Sequence, residues 1–284
     1  MSHLVTVEEL ATELSSGAPL RLLDVRWRLN EPEGRPAYLS SHVPGAVYVD
    51  LERELSRPGH PEEGRYPLPD TSQLEQAARR WGVNGGDRVV VYDDNDGVAA
   101  ARAWWLLRGY GVDVRLLDGG FPAWLYSGNR LARGDHISAP GDVKLGASHL
   151  HAVSIDEVAS AERPGFLVDV RAPQQYRGQV PGLEADAGHI PGAINIPTVT
   201  HIDSRGRLLP PERIRETLRS HGLEPDASVT VYCNNGIASA HSALAFESAG
   251  YQPQLYPGGW SQWSSSPGRP IAIGRTPADI IVAA

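Results

Sequence analysis

The chain has 284 residues, 41% of them hydrophobic and 21% charged, with a formal net charge of −8 at pH 7. This is globular composition, long enough for two ordinary domains. The acidic balance argues against a nucleic-acid partner, because phosphate binding rests on a basic surface, yet it leaves room for a small anionic substrate held by local cations.

The opening Met1-Ser-His-Leu-Val lacks a basic, then apolar, leader, and no run approaches the ~20 apolar residues of a membrane span. A soluble, cytoplasmic protein with no membrane partner is expected. Cys233 is the one cysteine, which excludes an internal disulfide, a metal site built from several thiolates and an internal resolving thiol. Any adduct on its sulfur has to be discharged by another molecule.

In chain order, Thr6-Val-Glu-Glu9 is a capping box that opens a short helix. Leu22-Leu-Asp-Val-Arg26 and Ser41-His-Val-Pro-Gly-Ala46 follow, then a helical pattern over Ser72 to Val83 that ends at Gly82. Val89-Val-Val-Tyr92 reads as a strand, and Leu117-Asp-Gly-Gly-Phe-Pro-Ala-Trp124 closes the series. After His136 to Leu150, a connector with Pro140, Gly141 and Gly146, the same series starts again.

Ser154-Ile-Asp-Glu157, Leu167-Val-Asp-Val-Arg171, Gly188-His-Ile-Pro-Gly-Ala193, a helical pattern over Pro211 to Leu223, Val229-Thr-Val-Tyr232 and Tyr256-Pro-Gly-Gly-Trp-Ser-Gln-Trp263 repeat it in order. Each half alternates short apolar strands with helical stretches, the pattern of a parallel sheet covered by helices. The expected fold is α/β: two doubly wound parallel-sheet domains in tandem, residues 1–135 and 151–284, joined by a linker at 136–150. The last ten residues read as a tail.

The stretch around Cys233 reads strand, tight loop, helix. Asn234, Asn235 and Gly236 tolerate tight turns, and Ile237, Ala240, Leu244 and Ala245 fall at helical spacing. This puts a thiol where the unpaired N–H groups and dipole of a helix N-terminus favour an anion. A free cysteine titrates near ~8.5, so a modest field makes it nucleophilic at neutral pH. A lone cysteine is more often an inert core residue, but the carboxyl end of a parallel strand before a glycine turn is where open α/β sheets place ligands. In the first half, Asp93 stands at the equivalent position. It cannot do thiolate chemistry, so that half is expected to be non-catalytic.

Asp-Val-Arg, His-Ile-Pro-Gly-Ala and a cysteine loop between strand and helix, in this order and duplicated, resemble the tandem-domain rhodaneses, the sulfurtransferase family. The likeness spans roughly Val5 to Ile273. Asp24-Val-Arg-Trp-Arg-Leu and Ala101-Arg-Ala-Trp-Trp further resemble the actinobacterial thiosulfate and 3-mercaptopyruvate sulfurtransferases. The resemblance implies a double displacement without cofactor or metal. Cys233 takes the outer sulfur of a small anionic donor as a persulfide and hands it to cyanide or a thiol, while backbone N–H groups from Asn234 through Gly236, Ile237 and Ala238 to Ser239 cradle the charge.

Two family loop patterns exist, and Cys233-Asn-Asn-Gly-Ile-Ala238 departs from both. Thiosulfate enzymes resemble Cys-Arg-Lys-Gly-Val-Thr; mercaptopyruvate enzymes resemble Cys-Gly-Ser-Gly-Val-Thr or Ser. The neutral residues and Gly236 favour the mercaptopyruvate type, although Asn235 replaces a serine thought to relay a proton. Where the family has a substrate arginine stands Gln175, so the cation is sought in Arg177, Arg26 or Arg28. Tyr66 takes the place of a frequent histidine. Asp169 with Arg171 reads as a structural ion pair, and His42 and His189, present in both halves, as turn-fixing groups. Trp260 and Trp263 could line a cleft or fill the core. A tyrosine-phosphatase-like site needs an arginine where Ser239 stands, which removes that class. A non-catalytic sulfur-relay or binding module remains the alternative.

Overall fold

The computed structural model describes residues 3–17, 19–160, 165–180 and 187–277, together with the backbone of 281–283. The chain divides into two compact units. The first comprises Met1–Arg57, Leu68–Leu150 and Ile202–Leu208; the second comprises Pro58–Pro67, His151–His201 and Leu209–Ala284.

In the first unit the order is β1 (Leu4–Val5), α1 (Val7–Ser16), β2 (Leu20–Asp24), α2 (Arg35–Ser40), β3 (Ala46–Tyr48), α3 (Leu51–Glu54), α4 (Thr71–Arg80), β4 (Arg88–Tyr92), α5 (Val98–Gly109), β5 (Asp113–Leu117) and α6 (Gly120–Tyr126). Its sheet runs β1-β5-β4-β2-β3, parallel throughout. Residues 136–150, expected as a connector, lie along this unit. Gly141 and Val143 donate N–H bonds to the carbonyls of Arg79 and Val83, and His149 donates to Gly109.

The second unit carries α7 (Ile155–Ala159), β6 (Phe166–Asp169), α8 (Pro173–Tyr176), β7 (Ala193–Asn195), α9 (Pro211–Ser220), β8 (Val229–Tyr232), α10 (Ala238–Ser248), β9 (Gln254–Leu255), α11 (Gly259–Ser264), β10 (Pro270–Ala272) and β11 (Ile281–Ala283). Its main sheet runs β7-β6-β8-β9, again parallel. The doubly wound α/β expectation is met in each half. The supposed C-terminal tail is partly ordered pairing: Ile281–Ala283 runs antiparallel to Pro270–Ala272, since the edge of β10 offers it unpaired N–H and C=O groups. Residues 278–280 and 284 lie outside the described ones.

Strand β8 is buried at every position because it lies between β6 and β9, which is why its sequence carries no charge. Helix α10 is buried from Ser239 to Phe246, so small and apolar residues occupy all its faces rather than one stripe. The two capping boxes form as expected, Thr6 with Glu9 and Ser154 with Glu157. Between the sheet and the flanking elements of the second unit, Leu167, Tyr176, Ile190, Ala193, Tyr232, Tyr256, Trp260 and Trp263 form a contiguous core. Both tryptophans are therefore core residues. Strand β8 thus ends on a fixed platform, and Cys233 is the next residue.

Candidate active site

The floor of the site is an ion pair at the carboxyl end of β6. Arg171 holds Asp169 through Nε and Nη2, the latter at 2.6 Å, and its backbone N–H reaches the same carboxylate at 2.9 Å. Nη2 also donates to the Gly188 carbonyl at 2.7 Å, and Nη1 to Oδ1 of Asn234 at 3.4 Å. The guanidinium lies 4.7 Å over the Trp260 ring. Burial alone would lower its pKa, but the charge and hydrogen bonds of Asp169 hold it above the ordinary value. In the first unit Arg26 repeats the arrangement with Asp24 at 2.8 Å and the Ser41 carbonyl at 2.6 Å. The ion pair is structural in both copies, and in the second it also grips the active loop through Asn234.

His189 and His42 are likewise duplicated. Nδ1 of each sits on a tyrosine carbonyl, Tyr176 at 2.8 Å and Tyr38 at 2.9 Å, and each ring stacks on the same tyrosine. They brace their turns, as duplication suggested.

Cys233 is 3% exposed. Its Sγ accepts the Asn235 N–H at 3.5 Å and lies 3.4 Å from Oγ of Ser239 and 3.8 Å from Oδ1 of Asn235. Gly236 makes the turn at φ +75°, a left-handed conformation that favours glycine. The main chain of the loop is tied to α11: the Cys233 carbonyl accepts from Trp260 N–H at 2.8 Å and the Asn234 carbonyl from Ser261 N–H at 2.9 Å. That close approach needs Gly259. Its φ is +58°, and a Cβ there would lie 2.5 Å from the Cys233 carbonyl oxygen and 2.8 Å from that of Asn234.

Gln175 and Arg177 are half-buried at the end of α8. Arg26 is 4% exposed and committed to Asp24, whereas the exposed Arg28 pairs with Asp94 at 3.3 Å and bonds its carbonyl at 2.8 Å. Arg65 stands outside the sequence candidates. It is exposed, belongs to the segment Pro58–Pro67 of the second unit, and its backbone N–H donates to Oγ of Ser261 at 3.0 Å. Ser261 is the residue whose own N–H holds Asn234. The partners are 196 positions apart, and no local pattern could have joined them. Tyr66 follows on the same segment.

The rhodanese-like domain model matches this chain twice, over residues 6–127 and 154–266. The chain belongs to the rhodanese-like family. A Mycobacterium tuberculosis protein named as the thiosulfate sulfurtransferase SseB is 40% identical to it over 275 residues, covering 95% of this chain and 97% of that protein. A Pseudomonas aeruginosa protein named as a 3-mercaptopyruvate sulfurtransferase is 39% identical over 284 residues, covering 96% and 99%. Among solved structures, SseA from Escherichia coli, a 3-mercaptopyruvate sulfotransferase, superposes with a TM-score of 0.81 at 29% identity over 92% of this chain and 99% of that one.

Within this rhodanese-like pair, the first copy holds an anion of its own at the cysteine position. Asp93 Oδ1 accepts the N–H groups of Asn95 at 2.8 Å and Gly97 at 2.9 Å, and Oδ2 accepts that of Ala100 at 2.8 Å. Burial pushes its carboxyl up to about 6 even with these three donors in place. Among the described residues no group of His, Cys, Asp or Glu is placed to hold a metal ion, and no helix is long and apolar enough to cross a membrane.

Proposed function

We propose that Cys233 carries a sulfane sulfur as a persulfide between an anionic donor and a nucleophilic acceptor. The chain is a sulfurtransferase by its relatives, which match it at up to 40% identity along 95% of its length. The observation that carries the persulfide reading is the environment of Sγ: the Asn235 N–H and the Ser239 hydroxyl lie within hydrogen-bonding reach where the loop runs into α10. Asp93 supports it from the other copy. Its Oδ atoms stand as many bonds from the backbone as the outer sulfur of a cysteine persulfide, and there three N–H groups converge on an anion.

In the first half-reaction the Cys233 thiolate attacks the outer sulfur. With thiosulfate, the S–S bond to the sulfonate breaks and sulfite departs with its electron pair. With 3-mercaptopyruvate the C–S bond breaks, and the proton of the donor thiol ends on the methyl carbon of pyruvate. In the second, cyanide or a thiolate attacks the outer sulfur and Cys233 leaves as thiolate. The neutral loop residues Asn234 and Asn235 favour the mercaptopyruvate donor, because they supply no charge to gather a dianion. We assign the donor's carboxylate to Arg177 and Arg65, and Gln175 to a neutral contact. Arg26 and Arg28 are assigned to Asp24 and Asp94 instead.

Catalysis is placed in residues 151–284, with 1–135 as a non-catalytic copy and 136–150 as the connection, in a cytoplasmic protein. Intact mass after incubation with each donor, then the steady-state rate with cyanide, tests this. Gain of one sulfur atom, absent in Cys233→Ser, and turnover by the parent chain are expected. A stable persulfide without turnover would instead indicate a sulfur-relay module, and no gain with either donor overturns the persulfide.

A further inference from the structure

The loop contains one side-chain hydroxyl that reaches the reacting sulfur. Ser239 is fully buried at the second position of α10, and its Oγ lies 3.4 Å from Sγ of Cys233. Among the described residues Sγ is its hydrogen-bonding partner. The neighbouring polar atom, Oδ1 of Asn235 at 3.8 Å, can only accept. It serves the thiol, which has a proton to give, and turns its dipole the wrong way toward a thiolate. The Ser239 hydroxyl is free to rotate and serves either state: it accepts from S–H and donates to S⁻.

The two copies sharpen this. Aligning Cys233 with Asp93 sets Asn235 on Asn95, Ala240 on Ala100 and Ser239 on Ala99. The hydroxyl occurs in the copy that has the thiol, whereas in the other copy a methyl group fills the place.

We infer that Ser239 is a catalytic residue, whose O–H donates to the Cys233 thiolate in the resting enzyme and again to the sulfur that leaves when the persulfide is discharged. It acts on the sulfur–sulfur bond cleaved in the second half-reaction: as that bond's electron pair returns to Sγ, the hydroxyl supplies a donor where the negative charge collects. No proton is transferred, so the atoms and charge of the exchange are unaltered. The inference rests on the persulfide reading for its second part and on Cys233 alone for its first.

Ser239→Ala removes one oxygen, and Ala99 shows that a methyl group fits the same point of the fold. Alkylation of Cys233 by iodoacetamide, followed by mass, needs no sulfur donor and reads the thiolate directly. The variant should react about tenfold more slowly than the parent at about pH 6, with rates within about twofold at about pH 10, above the ordinary thiol range. Single-turnover discharge of the preloaded persulfide to cyanide should slow by about tenfold as well. Superimposable pH profiles overturn the inference, and so does an equal slowing at every pH, which signals altered access. A chain that takes up no sulfur from either donor defeats the persulfide reading while leaving the alkylation result standing, so the two failures are distinguishable.

Discussion

Acid should loosen the second unit from behind α10. His201 and His241 are 0% and 2% exposed, and among the described residues Nε2 of the first and Nδ1 of the second have no hydrogen-bonding partner. Burial lowers His241 from an ordinary 6.5 to about 4, and burial plus the charge of His241 lowers His201 to about 3. Both are bases whose folded pKa is depressed, so the unfolded chain binds their protons first. The stability they leave intact at pH 7 is lost as pH falls below 6.5 toward the folded values. At about pH 5, some 1.5 units below the unfolded pKa, each costs about 2 kcal/mol, and the two together about 4 kcal/mol. That is a large share of a domain's ~5–15 kcal/mol. Hydrogen exchange of the α10 amides, corrected for intrinsic rate, measures it. The opening free energy should drop by about 4 kcal/mol more at pH 5 than at pH 7 from these two groups, and His241→Leu should remove about half of that excess, carboxylate effects being common to both chains. If the variant and the parent lose the same stability to within about 0.5 kcal/mol, the buried neutral imidazoles are not the cause.

Three further outcomes follow from contacts at the loop. Gly259→Ala forces a Cβ against two loop carbonyls at a positive φ; a loss of at least ~2 kcal/mol in urea unfolding is expected, with sulfur transfer reduced by more than the stability loss explains. Arg171→Met leaves the fully buried Asp169 without its counter-ion and should cost ~3–5 kcal/mol, whereas Arg171→Met with Asp169→Leu should recover most of it by thermal unfolding. Arg65→Ala and Arg177→Ala should each raise KM for an anionic donor by about tenfold while leaving iodoacetamide alkylation of Cys233 unchanged; unaltered KM in both would remove them as donor cations.

Much of this architecture was legible because its signals are local or repeated. Strand β8 matches Val229 to Tyr232 residue for residue, since a central parallel strand excludes charge over its whole length. The bracing role of His42 and His189 was readable from their presence in both halves. What could not be read depends on long-range geometry. Nothing in Gly64-Arg-Tyr-Pro says that this segment packs with residues nearly 200 positions away, and nothing in Ser239 distinguishes a helix-start serine from one turned toward a sulfur. Arg171 reads from Asp-Val-Arg alone as half of an ion pair, but its bond to Asn234 depends on the register of β6 beside β8.

The duplication separates scaffold from chemistry. Features present in both copies include the buried Asp-Arg pair, the histidine stacked on its tyrosine, and a glycine at φ near +58° whose missing Cβ lets a helix N-terminus meet the loop carbonyl. They recur where one copy has a carboxylate at the loop and the other a thiol, so they answer to the fold and to the loop's shape. Features confined to the second copy include Cys233 itself, Ser239 in place of Ala99, and Ile237 in place of Gly97. In the first copy Asp93 satisfies three N–H donors from within the chain, so the loop has no vacancy for a substrate anion. In the second the shorter Cys233 side chain lies within reach of the Asn235 N–H and the Ser239 hydroxyl, and an added sulfur atom would give it as many bonds from the backbone as the Asp93 oxygens. On the proposed persulfide mechanism, loading Cys233 would bring the second loop toward the anion-filled arrangement that Asp93 gives the first at neutral pH, a physical reason for the same fold to hold a carboxylate in one copy and a transferable sulfur in the other.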